Sequence, residues 1–215
     1  MHCSIFLLVA ALSSLGAAIP TPVVVPKACS TAFPILMNTV TSSQPERSSQ
    51  GLSTFEYGVK EGTFYLRQDS FNVSDPFYSI QYLDFEIPTG SYGCQLHVTD
   101  ANGSVSYKAG SSSPAIKIKS FIPNAFYGSP SYNDVVKGDR ISSSYYGELQ
   151  VSTGMGARVI NSATCPASSN GQAGHLQFLF ELRDHEEGTD SWFTMTERSA
   201  THGTTLNGFY MTYDC

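Results

Sequence analysis

Charge is scarce in this sequence. Only 14 % of its residues are Asp, Glu, Lys or Arg, and the formal net charge is −6. No stretch gathers Lys and Arg into a patch, which argues against nucleic acid or an anionic membrane as partner. Beyond residue 18, no apolar run reaches the ~20 residues that a bilayer span needs. The C-terminus lacks the hydrophobic tail of a lipid-anchor signal. There is no CxxC pair and no Cys/His set with zinc-site spacing, so neither a metal nor a cofactor is expected. GxSxG, P-loop and GxGxxG patterns are missing as well. No segment sustains an apolar period of 3.6, so the chain has no sequence basis for long amphipathic helices.

What is present points to β-structure. Aromatic residues make up 12 % and apolar residues 41 % of the 215 positions, enough for a real core. That length fits one large β domain or two small ones. The opening "MHCSIFLLVAALSSLGAA" (residues 1–18) reads as a secretory signal peptide, with Gly16 and Ala18 at the small-residue positions before the cut. His2 stands where Lys or Arg is usual. Residues 19–28 follow as a leader in which Pro20, Pro22 and Pro26 prevent a helix. A single β domain is expected over 29–215, with no internal repeat and no linker that would divide it.

Removal of the signal segment takes Cys3 with it and leaves Cys29, Cys94, Cys165 and Cys215. Four cysteines in an oxidising compartment imply two disulfides, for which three connectivities exist. If Phe33–Thr41 and Asn207–Asp214 are antiparallel neighbours, Cys29 meets Cys215 and leaves Cys94 for Cys165. The spacing forbids none of the three.

About ten short strands alternate with Gly, Ser and Pro turns, which predicts an antiparallel β-sandwich of jelly-roll type. The strand candidates are Phe33–Thr41, Gly62–Gln68, Tyr78–Pro88, Ala115–Ile122, Gly147–Ser152, Ala157–Ser162, Gly174–Leu182, Asp190–Arg198 and Asn207–Asp214. A hairpin is expected to turn at Asn102-Gly103, between "GCQLHVTD" and "ANGSVSYKA". "STGMGARV" (Ser152–Val159) reads as another hairpin turn. Two stretches look irregular, Thr41–Gly58 and the tyrosine-rich Pro123–Tyr146. A loop as long as the second is usually functional.

Candidate site residues are few. Asn72 and Asn102 each open an N-glycosylation sequon. Asp84 and Glu86 share one face of a strand and form a carboxylate pair of the kind a glycosidase uses, although a solvated outer face is the default for such positions. "RDHEE" (Arg183–Glu187) has oxygens for a cation but no EF-hand register, and reads as a solvated loop. His97 and His175 fall in strands, and His185 and His202 in loops, with no elbow serine to complete a triad. Tyr127, Tyr132, Tyr145 and Tyr146 cluster in the long loop and are the candidate ligand-binding residues, since exposed phenol rings suit sugar faces and protein partners.

Three segments carry a family resemblance: "YLDFEIPTGSYGCQLHV" (Tyr82–Val98), "FPILM" shortly after Cys29, and the closing "GFYMTYDC". They resemble the fungal But-two family, the ubiquitin-three-binding protein C-terminal domain, over roughly Cys29 to Cys215. The resemblance implies a secreted or surface-associated β-sandwich module and supplies no catalytic residues. The cytosolic partner in the family's name does not suit a chain with a signal segment, sequons and paired cysteines. The loop Pro123–Tyr146 has no counterpart in the family pattern.

Together these features predict a secreted, non-catalytic binding module of the cell wall or extracellular space, with polysaccharide or an extracellular protein as ligand. A secreted carbohydrate-active enzyme using Asp84, Glu86 or other loop acids is the alternative, and a structural wall protein is a third.

Overall fold

The structure is a computed structural model that describes residues 28–54, 59–70, 74–108, 113–126, 128–137, 143–167, 171–183, 190–200 and 205–215. The predicted signal segment, all of the leader but its last residue, Asn72, Tyr127, His185, His202 and all but Arg183 of the "RDHEE" stretch lie outside the described residues. In chain order the strands begin with β1 (Ser30–Ala32), β2 (Leu36–Thr41), β3 (Ser48–Gln50), β4 (Leu52–Thr54) and β5 (Lys60–Asp69). Then come β6 (Phe77–Ile87), β7 (Gln95–Thr99), β8 (Ser106–Lys108), β9 (Ile116–Ser120) and β10 (Ser144–Leu149). The last are β11 (Arg158–Ser162), β12 (Gly174–Leu182), β13 (Asp190–Arg198) and β14 (Gly208–Tyr213). One π-helical turn, Asn133–Lys137, precedes β10.

These strands form an antiparallel β-sandwich of two unequal sheets. The smaller has the order β1-β14-β7-β11. The larger runs β10-β9-β12-β6-β5-β13-β8, with β2, β3 and β4 attached beside it. One edge of β6 pairs with β12 over Gln81–Ile87. Its other edge is shared: β5 takes Phe77–Ser79 and β2 takes Ser79–Asp84.

The termini do meet, through a shorter strand than the sequence suggests. Pro34 has no N–H to donate and interrupts the expected strand Phe33–Thr41. Ser30–Ala32 pairs with β14 in the smaller sheet, while Leu36–Thr41 joins the larger one. Cys29 and Cys215 are bridged with their Cα atoms 4.4 Å apart, and Cys94 is bridged to Cys165 at 5.3 Å. The first bridge closes a separation of 186 residues, for which the chain-entropy model allows about 5 kcal/mol.

Alternation explains the core. Leu83, Phe85 and Ile87 of β6 face inward with Phe64, Leu66, Phe178, Phe180, Phe193 and Met195 of the same sheet. Leu96, Val98, Phe209 and Met211 of the smaller sheet meet them. Phe209 joins the layers: its ring lies 4.8 Å from Phe64 and 4.5 Å from Phe180. Aromatic pairs of this kind add about 0.5–1.5 kcal/mol each beyond area burial.

The outer face of β6 is buried too. Val40, Ile80, Tyr82 and Leu179 are covered by Phe121, Tyr132 and Val135, with Ala125 and Phe126 packed against them. Much of the stretch expected as an irregular loop is therefore a lid, residues 121–126 and 128–137, over the larger sheet. The other stretch expected to be irregular, Thr41–Gly58, contains β3 and β4.

Neither expected hairpin forms. The Asn102-Gly103 turn leads from β7 in the smaller sheet to β8 in the larger, and residues 150–157 lead from β10 back to β11. Both are corners, and the buried carboxylate of Asp100 holds both. It accepts the N–H groups of Ser104 (2.8 Å), Val105 (3.2 Å) and Gly154 (3.0 Å) and the Ser104 hydroxyl (2.8 Å). Burial pushes this carboxyl up, but those donors outweigh it and hold the group below its ordinary value. Gly103 takes φ 64°, which a side chain would oppose.

Beside this corner, Asn207 accepts the Asn102 N–H at 3.0 Å and donates to the Thr196 carbonyl at 2.6 Å. Next to it Glu197 is fully buried, with the Phe209 N–H shared between its two oxygens at 2.9 and 3.0 Å. A β-carbon on Gly208 would overlap that carboxylate, so the glycine leaves the space Glu197 occupies. Burial drives the Glu197 carboxyl well above its ordinary value, and the single N–H does not offset it.

A carboxyl with a raised folded pKa contributes stability below its unfolded value and loses it as pH rises toward the folded value. The cost is roughly 1.4 kcal/mol per pH unit across that window. Glu197→Gln keeps an acceptor for Phe209 and removes the charge. Its urea midpoint is expected to change less than that of the wild type from about pH 5 to about pH 8, and to be the higher of the two at the upper end. Parallel pH profiles would refute this account of Glu197.

Candidate functional site

The four tyrosines do not form one exposed cluster. Tyr145 and Tyr146 belong to β10, where a bulge between Tyr145 and Gly147 leaves one ring in solvent and the other in the core. Tyr145 is 65 % exposed across from Lys119. Tyr146 is buried in the main core, its hydroxyl donates to the Asn161 carbonyl at 2.8 Å, and burial pushes its pKa up to about 12. Tyr132 is 8 % exposed and belongs to the cluster under the lid. Tyr127 lies outside the described residues. The expected tyrosine site is thus corrected: two of its members are core residues on different sides of the larger sheet. Asn102 does stand exposed at its corner turn.

Asp84 and Glu86 do not form a solvated pair either. Glu86 is exposed, but Asp84 is 3 % exposed because the lid covers that end of the strand. Asp84 Oδ1 lies 3.0 Å from His175 Nδ1, and its Oδ2 accepts from Gln177 Nε2 at 3.1 Å. Burial raises the Asp84 carboxyl above its ordinary value, against the pull of Gln177 and His175. Gln177 Nε2 also donates to the Phe126 carbonyl at 2.8 Å, and its Oε1 accepts the Phe126 N–H at 3.0 Å. Asn124, held at φ 59°, accepts the His175 N–H at 2.8 Å. These groups pin the lid to the sheet. His97 is engaged elsewhere: its Nε2 lies 2.8 Å from the Thr212 hydroxyl oxygen, and its ring stacks on Tyr210 at 5.0 Å.

A different face offers a site. In β5, Phe64 and Leu66 point into the core, so Tyr65 and Arg67 point outward. In β13, Phe193 and Met195 point inward, so Trp192 and Thr194 point outward. The register places Trp192 directly opposite Arg67 and Thr194 opposite Tyr65. Trp192 is the chain's single tryptophan, and it is half-buried at the surface. Arg67 Nε donates to Asp190 Oδ1 at 2.9 Å and its Nη2 to Asp69 Oδ2 at 3.3 Å. Lys108, from the neighbouring β8, reaches Asp190 Oδ2 at 3.2 Å. Burial is the largest single influence on the Asp190 carboxyl and pushes it up, but the hydrogen bonds and charges of Arg67 and Lys108 together hold it below its ordinary value. The Arg67 guanidinium also lies 5.8 Å from the Phe77 ring centroid.

Tyr65, Arg67, Asp190, Trp192 and Thr194 line a depression of about 420 Å³. Arg67 also lines a second cleft of about 390 Å³, which Tyr132 and Val136 of the lid border. The arrangement combines flat rings for stacking with fixed hydrogen-bond donors and acceptors. Among the described residues no set of three or more His, Cys, Asp or Glu is placed to hold a metal ion, and no helix is long and apolar enough to cross a membrane. No protein-family model and no curated protein matches the chain.

Gln177→Ala removes two hydrogen bonds between lid and sheet, both to Phe126, and one within the sheet to Asp84. The Phe126 amide is expected to exchange with solvent at least about tenfold faster, with about 1–3 kcal/mol lost from global stability. Unchanged exchange at Phe126 would show that apolar contacts alone hold the lid.

Proposed function

We propose that this protein is a secreted, non-catalytic binding module that holds polysaccharide of a cell wall or extracellular matrix on its Trp192 face. The observation that carries the reading is the pairing of Trp192 with Arg67 on an outward-facing part of the sheet, beside Tyr65. The rings of Trp192 and Tyr65 suit the apolar face of a sugar ring. Arg67, Lys108 and Asp190, held in place by their mutual ion pairs, suit its hydroxyls. A surface whose polar groups are already oriented loses less entropy when it binds.

Secretion is supported by the opening segment of the sequence and by two disulfides, which persist in oxidising compartments. The But-two resemblance agrees with a secreted β-sandwich and says nothing of a ligand. For the enzyme alternative, Asp84 and Glu86 do not support a catalytic pair, because Asp84 is bonded to His175 and Gln177 beneath the lid while Glu86 stands in solvent; its other loop acids are addressed by the sugar-release measurement. The structural-protein alternative differs by the lack of saturable binding.

Trp192→Ala is expected to weaken binding to insoluble polysaccharides about tenfold or more, with the melting temperature preserved. Trp192→Phe keeps a ring and retains part of the affinity. Sedimented protein and released sugars, measured in the same samples, check both halves of the proposal. Wild-type affinity in Trp192→Ala would remove the site, and released oligosaccharide would remove the non-catalytic reading.

A further inference from the structure

We infer that the ligand is an uncharged, extended polysaccharide chain that crosses Arg67, from the Trp192 depression into the cleft at the lid edge. The inference rests on the binding-face reading above and names the class of ligand.

The case for an extended chain is geometric. Arg67 lines both depressions, so they adjoin at this residue. The second cleft is lined by Gln68, Tyr78, Lys117, Tyr132 and Glu181 among others. Tyr78 in the second cleft and Trp192 with Tyr65 in the first place partly exposed rings in both depressions that Arg67 lines, while Tyr132 backs the second cleft nearly buried. Each depression falls within the roughly 300–1,000 Å³ range of small-molecule pockets, so both together exceed what a single sugar unit fills. Arg67 is restrained by Asp69, Asp190 and the Phe77 ring, so it presents a fixed plane to a chain passing over it.

The case for an uncharged ligand is electrostatic. Each cation along the track stands beside a carboxylate. Arg67 and Lys108 share Asp190, and Arg67 also reaches Asp69. Lys117 and Lys119 share Glu181 at 3.5 and 2.9 Å, and Arg183 lies 2.6 Å from Glu148. An acidic polymer would have to break these pairs and approach a chain of net charge −6. Hydroxyl groups can add to the same donors and acceptors without displacing a carboxylate.

The test is calorimetric titration of the full secreted chain with dimers and hexamers of glucose, mannose and N-acetylglucosamine, and with oligogalacturonates of matching length, at low and high salt. A neutral hexamer is expected to bind about tenfold or more tighter than its dimer, with little salt dependence. The double variant Gln68→Ala, Lys117→Ala is expected to lose that gain with length and keep the dimer affinity. Glu181 keeps Lys119 as partner in this variant, so the sheet is not left with an unpaired carboxylate. Oligogalacturonate binding tighter than the neutral series and weakening with salt would overturn the uncharged ligand and leave the sugar-binding reading intact. Equal affinity for dimer and hexamer would overturn the extended track. Failure of every sugar to bind would overturn the binding-face reading, and this inference with it.

Discussion

Strand β6 is buried on both faces, and much of the architecture follows from how that burial is achieved. Its inner face meets the smaller sheet through the aromatic core. Its outer face carries Ile80 and Tyr82, which an antiparallel strand with one solvated side would expose. The lid supplies the missing layer, and β2 extends it by bringing Val40 beside Ile80. Because the lid stops short of β5 and β13, their outward rings remain available. The outward depression around Trp192 is the part of the larger sheet that lies beyond this third layer.

Burying so much of the sheet also draws in polar groups, and three carboxyls are accommodated in different ways. Asp100 stays ionised because four donors converge on it, and it holds two corners where the chain changes sheets. Glu197 has one donor and lies where neutrality is cheaper than charge. Asp84 lies between these cases, tied to a histidine and an amide that also grips the lid. The same residue type thus acts as a corner clamp, a neutral core group and a lid fastening, according to the donors within reach.

Strand positions were legible in the sequence because alternation is a local signal. Gly174–Leu182 and Asp190–Arg198 appear as strands with the bounds read from the sequence. The partners of strands were less legible. Asn102-Gly103 has the chemistry of a hairpin turn, yet it turns a corner, because Asp100 reaches across to Gly154 some fifty residues away. Burial of Asp84 was not legible either, since the lid over it is remote in sequence and has no period of its own. The tyrosine cluster failed at a bulge: β10 shifts register between Tyr145 and Gly147, leaving Tyr145 opposite Lys119 in solvent and turning Tyr146 into the core, and no local signal in the sequence marks that shift. Parity is the signal that points to the Trp192 face. Outward Tyr65, Arg67, Trp192 and Thr194 can be read from two alternating segments once those segments are known to pair.

The bridge from Cys29 to Cys215 makes the domain a covalent ring. A protease that cuts one loop between these residues opens the ring but frees no fragment, because the two pieces remain joined through the bridge. A cut between Cys94 and Cys165 is spanned a second time by the inner bridge. A single loop can therefore be nicked by a protease while the molecule keeps its mass, and the two pieces part only once a reductant acts.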